Sequence, residues 1–169
     1  NGTLLTEKNV KKLKESGIDS VNVSIDSLDR ATCDRVRGHT GQLRKGLEGL
    51  RLLKEYGVPY STVILLAKHK IHELSQMIKL LDRVYDSPCI LSFPDSGVGP
   101  LSEMLFTKDE LLKVVDELFV LKREGYRLQN TNKYLSELKH AYLDEPREIV
   151  CYGGYYVVNV YWNGDVRPC

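Results

Sequence analysis

Val21-Asn22-Val23-Ser24-Ile25-Asp26 alternates apolar and polar side chains at period two, and the reading of these six residues decides how the rest of the chain is organised. They form a strand that ends on a serine and an acid, with helical periodicity on either side. Upstream, Thr6-Glu7 opens a helix with an acid in its first turn; Val10 and Leu13 mark its apolar face and Gly17 its end. Downstream, Leu43, Leu47, Leu50 and Leu53 keep helical spacing until Gly57 closes that helix.

The same alternation continues outward. Val58 to Leu66 is β-branched and apolar, as suits a strand buried on both faces. Ile71, Leu74, Ile78, Leu81 and Val84 mark another amphipathic helix, and Cys89 to Phe93 forms a short strand before Pro94. Thr107-Lys108-Asp109-Glu110 is a capping-box start for a helix that Gly125 ends. Strands at about 20–26, 58–66 and 89–93, separated by helices, predict right-handed crossovers and a parallel sheet in an α/β fold. Natural sheets usually hold more than three strands, so partner strands are expected upstream of residue 1. After Gly125 the pattern predicts a helix over 132–143, ended by Pro146, then a strand over 155–162 that Asn163-Gly164 turns into a hairpin.

Composition narrows the function. The 169 residues are 42% hydrophobic and 28% charged, the balance of a folded globular protein. Lys plus Arg number 24 against 23 Asp plus Glu, so no basic face for nucleic acid is expected. The longest apolar run, Val63 to Ala67, is far short of the roughly 20 residues that span a bilayer. No charged-then-apolar leader opens the chain, and a cytoplasmic location is the expectation. In that compartment the four cysteines are thiols or metal ligands before they are disulfides, and Cys33 and Cys89 read as structural.

The most specific chemical pattern is Cys151, twelve residues, Gly164, four residues, Cys169. A hairpin at Asn163-Gly164 brings the two thiols towards one another, where they could share an iron–sulfur cluster or zinc, with further ligands from elsewhere. A hairpin with incidental cysteines, or a disulfide across its ends, is the plainer alternative. Ser24 and Asp26 sit at the carboxyl end of a parallel strand, where such folds collect their active sites; a polar pair capping the next helix is the structural alternative. Arg37 suits a carboxylate partner, with a solvated surface arginine as the alternative and Arg35 as a competitor.

The order of these pieces resembles a known family. Asn1-Gly2-Thr3-Leu4-Leu5, then Val-Ser-Ile-Asp at 23–26, then Arg37-Gly38 is similar to the middle of a radical S-adenosylmethionine (SAM) domain. In that family the third strand commonly ends in Thr-Asn-Gly and the fourth reads Val-Ser-Leu/Ile-Asp. The terminal Cys-x12-Gly-x4-Cys resembles the opening of the auxiliary-cluster extension called SPASM, or its shorter twitch form. The resemblance implies the C-terminal half of a partial (β/α)6 barrel, strands four to six, over 1–128, and the start of the auxiliary extension over 129–169. It implies that Ser24 bonds the SAM ribose, that Asp26 supports the pocket or reaches substrate, and that Arg37 pairs with the SAM carboxylate. Leu91 and Ser92 would offer backbone to the adenine edge, and Cys151 and Cys169 would ligate an auxiliary [4Fe-4S] cluster.

The implied activity is reductive cleavage of SAM to a 5′-deoxyadenosyl radical and hydrogen abstraction from a substrate, in peptide modification or cofactor maturation. A flavodoxin or ferredoxin would donate electrons, and the substrate would be a peptide or a small-molecule precursor. The catalytic Cys-x3-Cys-x2-Cys loop does not occur in these 169 residues, so they are expected to be inactive alone. An α/β binding module with structural zinc and a noncatalytic scaffold are the competing classes. One departure from the family falls after the second strand, where an Asn is common and Ala67-Lys68-His69-Lys70-Ile71 stands instead, with His69 and His72 as substitutes. The ten tyrosines include Tyr152, Tyr155, Tyr156 and Tyr161 beside Trp162, a cluster expected to pack against the barrel.

Overall fold

The computed structural model describes residues 1–93, 106–143, 145–146, 150, 155, 158–161 and 163–167. Helix α1 (Glu7–Glu15) starts where the Thr6 hydroxyl accepts the Asn9 amide, and buries Val10. Strand β1 (Val21–Ser24) leads into α2 (Arg30–Arg37) and α3 (Gln42–Glu55). Then follow β2 (Tyr60–Leu65), a 3-10 turn (Lys68–Glu73), α4 (Leu74–Arg83), β3 (Cys89–Ser92), α5 (Lys108–Arg123) and α6 (Asn132–Leu143). The three strands pair in parallel in the order β1-β2-β3, with Val21 opposite Tyr60 and Thr62 opposite Cys89. The strands expected at 20–26, 58–66 and 89–93 are thus present, each slightly shorter than its apolar run.

The core lies between this sheet and its helices. Val23, Ile25, Ile64, Leu66 and Leu91 meet Leu50, Leu53, Ile78, Leu81, Leu111 and Leu118, all essentially inaccessible to solvent. Each such side chain contributes about 1.5–3 kcal/mol of burial free energy. Helix α3 approaches the sheet closely because its inner face carries Gly46 and Gly49. A Cβ on Gly49 would stand 2.7 Å from Leu5 Cδ1 and one on Gly46 3.4 Å from Ile25 Cγ1. Leu128 and Leu135 extend the core beyond α5, and α6 lies on α5.

Helix α2 was not foreseen from the sequence. Asp29 caps it by accepting the Thr32 amide at 2.7 Å, and Gly38 ends it in a left-handed conformation at φ 64°. The terminal hairpin is present as β4 (Asn159–Val160) and β5 (Val166–Arg167), antiparallel. Its turn is wider than an Asn-Gly pair: the Tyr161 amide reaches the Asp165 carbonyl at 2.8 Å, and Gly164 takes φ 87°. Val160, Tyr161 and Val166 are exposed there, and Tyr155 is exposed as well. The two described tyrosines of the cluster therefore do not pack on the barrel; Arg167 covers the Tyr161 ring at 5.1 Å instead. Tyr152, Tyr156 and Trp162 lie outside the described residues. Among the described residues no helix is long and apolar enough to cross a membrane.

Candidate functional site

The carboxyl ends of the three strands carry Ser24, Asp26 and Ser92, and the end of α2 brings Arg37 to the same rim. Ser24 is half-buried at the last paired position of β1, opposite Val63. One residue on, the Ile25 amide still bonds the Val63 carbonyl at 3.1 Å. A continued parallel ladder would next bond the Leu65 amide to the Ile25 carbonyl. The Leu65 amide donates instead to Asp26 Oδ1, at 2.8 Å.

The fully buried Asp26 carboxylate also receives both donors along one edge of Arg37: Nη2 reaches Oδ1 at 2.8 Å and Nε reaches Oδ2. A buried carboxylate is tolerable only when its lone pairs are met, and here a backbone amide and a two-point guanidinium contact meet them. The Arg37 side chain is 26% exposed, so it stays within reach of solvent while the Asp26 carboxylate does not. The loop after it is held by Asp34, whose carboxylate accepts the Gly41 and Gln42 amides at 2.7 Å each. Those amide bonds hold the Asp34 carboxyl below the usual carboxylate range. Gln42 is buried; its Nε2 donates to the Asn1 carbonyl and lies 3.5 Å from that of Ser24, while its buried Oε1 has no partner among the described residues. The neighbouring loop is latched by the Glu73 carboxylate, which accepts the Leu28 amide at 3.1 Å.

Ser92 stands on the same rim, with its hydroxyl side exposed and its carbonyl accepting the Leu66 amide at 2.8 Å. Leu91 is placed differently from the sequence expectation. Its amide donates to Asn130 Oδ1 at 2.7 Å and its carbonyl accepts from Asn130 Nδ2 at 3.0 Å, so neither is free for an adenine edge. Asn130 and Gln42 were both missed in the sequence, because their partners lie about 40 residues away. The structure brings Ser24, Asp26 and Arg37 together on one side of the rim and sets Ser92 across β2 from them.

Cys151 and Cys169 lie outside the described residues. Cys33 and Cys89 are free and buried, and burial pushes the Cys89 thiol up to about 12 and raises that of Cys33. Thiols so held are poor metal ligands and poor nucleophiles. Of the two histidines considered as substitutes, His72 is exposed, and the His69 side chain lies outside the described residues. Among the described residues no cluster of three or more His, Cys, Asp or Glu could hold a metal ion.

The model of the Radical SAM superfamily matches residues 1–81. An AdoMet-dependent heme synthase of Nitratidesulfovibrio vulgaris is 29% identical, over 73% of this chain and 34% of its own length. A PqqA peptide cyclase of Xanthomonas euvesicatoria is 24% identical, over 96% of this chain and 44% of its own. The chain therefore spans less than half the length of these relatives. Among solved structures, native anSMEcpe with bound AdoMet superposes on all of this chain and 48% of its own, at a TM-score of 0.64 and 18% identity. The family match over residues 1–81, the relatives and the shared fold place this chain's similarity in the radical SAM superfamily, whose enzymes use S-adenosylmethionine and a [4Fe-4S] cluster.

Proposed function

We propose that residues 1–128 form the SAM-holding wall of a radical SAM enzyme and that residues 129–169 begin an auxiliary-cluster extension of the SPASM or twitch kind. The observation that carries this reading is that Ser24 and the Asp26-bound, partly exposed Arg37 stand at the carboxyl end of parallel strands. A hydroxyl and a guanidinium on one rim suit a ligand that carries a ribose and a carboxylate, as SAM does. Ser24 would bond the ribose, Arg37 the carboxylate, and Ser92 would line the side across β2. When bound, SAM and its [4Fe-4S] cluster supply a one-electron cleavage to methionine and a 5′-deoxyadenosyl radical that takes a hydrogen atom from the substrate.

The residues here fit SAM but not that cluster. Cysteines at 33, 89, 151 and 169 make no Cys-x3-Cys-x2-Cys run, and the two described ones are buried. Its ligands would come from other parts of the polypeptide, and Cys151 with Cys169 would serve an auxiliary cluster. The substrate class we favour is a peptide. A PqqA peptide cyclase is among the relatives, and a matching structure of anSMEcpe holds the Kp18Cys peptide. Cofactor maturation is the second class, favoured by the relatives that are heme synthases. A flavodoxin or ferredoxin would supply the electrons, in the cytoplasm.

The test is anaerobic reconstitution of the full-length polypeptide with iron and sulfide, followed by assay for 5′-deoxyadenosine from SAM under reduction. Release of 5′-deoxyadenosine by the full-length protein and none by residues 1–169 alone is expected. Zinc without acid-labile sulfide in the anaerobically purified protein would overturn the reading.

A further inference from the structure

Arg37 reaches the rim with two of its five N–H donors already engaged. Its Nε and Nη2 edge lies along the buried Asp26 carboxylate, and among the described residues no acceptor meets Nη1. Asp26 is in turn fixed to the sheet, because its Oδ1 takes the Leu65 amide in place of a ladder carbonyl. The guanidinium is planar, so fixing one edge fixes the direction in which the remaining N–H groups point. From this we infer that Asp26 is a positioning residue that holds Arg37 by one edge and aims Nη1 at a single carboxylate. The inference rests on the assignment of Arg37 to the SAM carboxylate made above, and it adds how that contact is made. The carboxylate is gripped from the Nη1 side, and the usual two-point contact through Nε and Nη2 is closed to it.

Two features favour this over a purely structural ion pair. The pair stands at the same strand end as Ser24, and Arg37 is 26% exposed, which a purely structural pair does not require. An Asp26→Asn substitution separates the two roles. An asparagine Oδ1 still accepts the Leu65 amide and Nη2, but its NH2 group faces Nε, so the two-point hold on Arg37 and the carboxylate charge are lost.

The experiment measures equilibrium binding of SAM and of decarboxylated SAM to the reconstituted full-length protein, alongside its thermal melting. For Asp26→Asn, SAM affinity is expected to fall about tenfold, as for loss of one charge-assisted hydrogen bond, and decarboxylated SAM to change less than about twofold. Arg37→Ala is expected to match it, and the double variant to add nothing further. Unchanged SAM binding by Asp26→Asn, or equal weakening of both ligands, overturns the positioning role. Unchanged SAM binding by Arg37→Ala overturns the carboxylate assignment as well, so the two failures are told apart. Where Asp26→Asn does not fold, Arg37→Lys reads the same point. Lysine keeps the charge without the second donor edge, so the same selective loss for SAM is expected, and wild-type affinity overturns the inference.

Discussion

The two edges of the parallel sheet are finished in opposite ways. Along β3 the outer edge is sealed by the chain that returns from α5. The Cys89 amide bonds the Arg127 carbonyl at 2.8 Å, the Gln129 amide bonds the Cys89 carbonyl at 2.9 Å, and the Asn130 side chain then takes both main-chain groups of Leu91. Two ends of the seal are pinned further: Arg127 Nε lies 2.7 Å from the Asp82 carboxylate, and Lys122 Nζ donates to the Asn130 carbonyl. Along β1, no strand among the described residues pairs with the outer edge. A groove of about 570 Å³ runs there, lined by Asn1, Gly2, Leu4, Leu5, Val21 and Asn22, and Leu4 is 76% exposed. Unpaired strand edges accept further strands, so the contrast marks the direction in which this sheet can grow. Growth is possible at β1 and blocked at β3 by the returning chain and the Asn130 side chain.

Breaking the sealed edge is expected to have the largest effect. Asn130→Leu leaves the amide and carbonyl of Leu91 without partners in a buried setting, at a cost of about 2–4 kcal/mol. Denaturant unfolding of the full-length protein measures it, and hydrogen exchange at Leu91 should rise with it. A smaller loss, about 1–3 kcal/mol, is expected from Gly49→Ala, because the new methyl meets Leu5 beneath the β1 side of the sheet at 2.7 Å. Gly46→Ala, facing Ile25 at 3.4 Å, should cost less in the same measurement. The smallest effect belongs to the open edge in residues 1–169 taken alone, where Leu4→Ser changes stability by less than about 0.5 kcal/mol. In the full-length protein the same substitution should cost clearly more if a strand covers that groove, and an equal small value in both would deny that the edge is paired.

How far the sequence could be read follows the same division between local and distant contacts. The three strands and their crossovers were legible because Val21 to Asp26 and Val58 to Leu66 carry their pattern within a few residues. So was the capping box of α5, where the Thr107 hydroxyl and the Glu110 carboxylate satisfy each other three residues apart. Helix α2 escaped notice because it is eight residues long and Cys33 is its one buried residue, too little for a visible stripe. Asn130 reads as an ordinary polar residue after a helix, since nothing near it in sequence signals that Leu91, 39 residues earlier, needs two partners. Ser24 and Asp26 were read at the end of a strand, where the structure has them, but the contact between Asp26 and Arg37 was not visible. A guanidinium and a carboxylate 11 residues apart could each face a ligand or face each other, and only the fold decides.

With the Asp26 carboxylate standing in for one rung of the β1–β2 ladder, the ligand recognition proposed for Arg37 would be tied to strand alignment. Sliding β1 by a single residue would turn its inward side chains outward and carry Asp26 away from Leu65. Arg37 would then lose its fixed edge, and the rim its aim. A ligand that depends on that aim binds only chains whose strands have met in the right alignment, and mass action draws the folding population towards them. The proposed site would thereby act as a proofreader of the sheet that builds it.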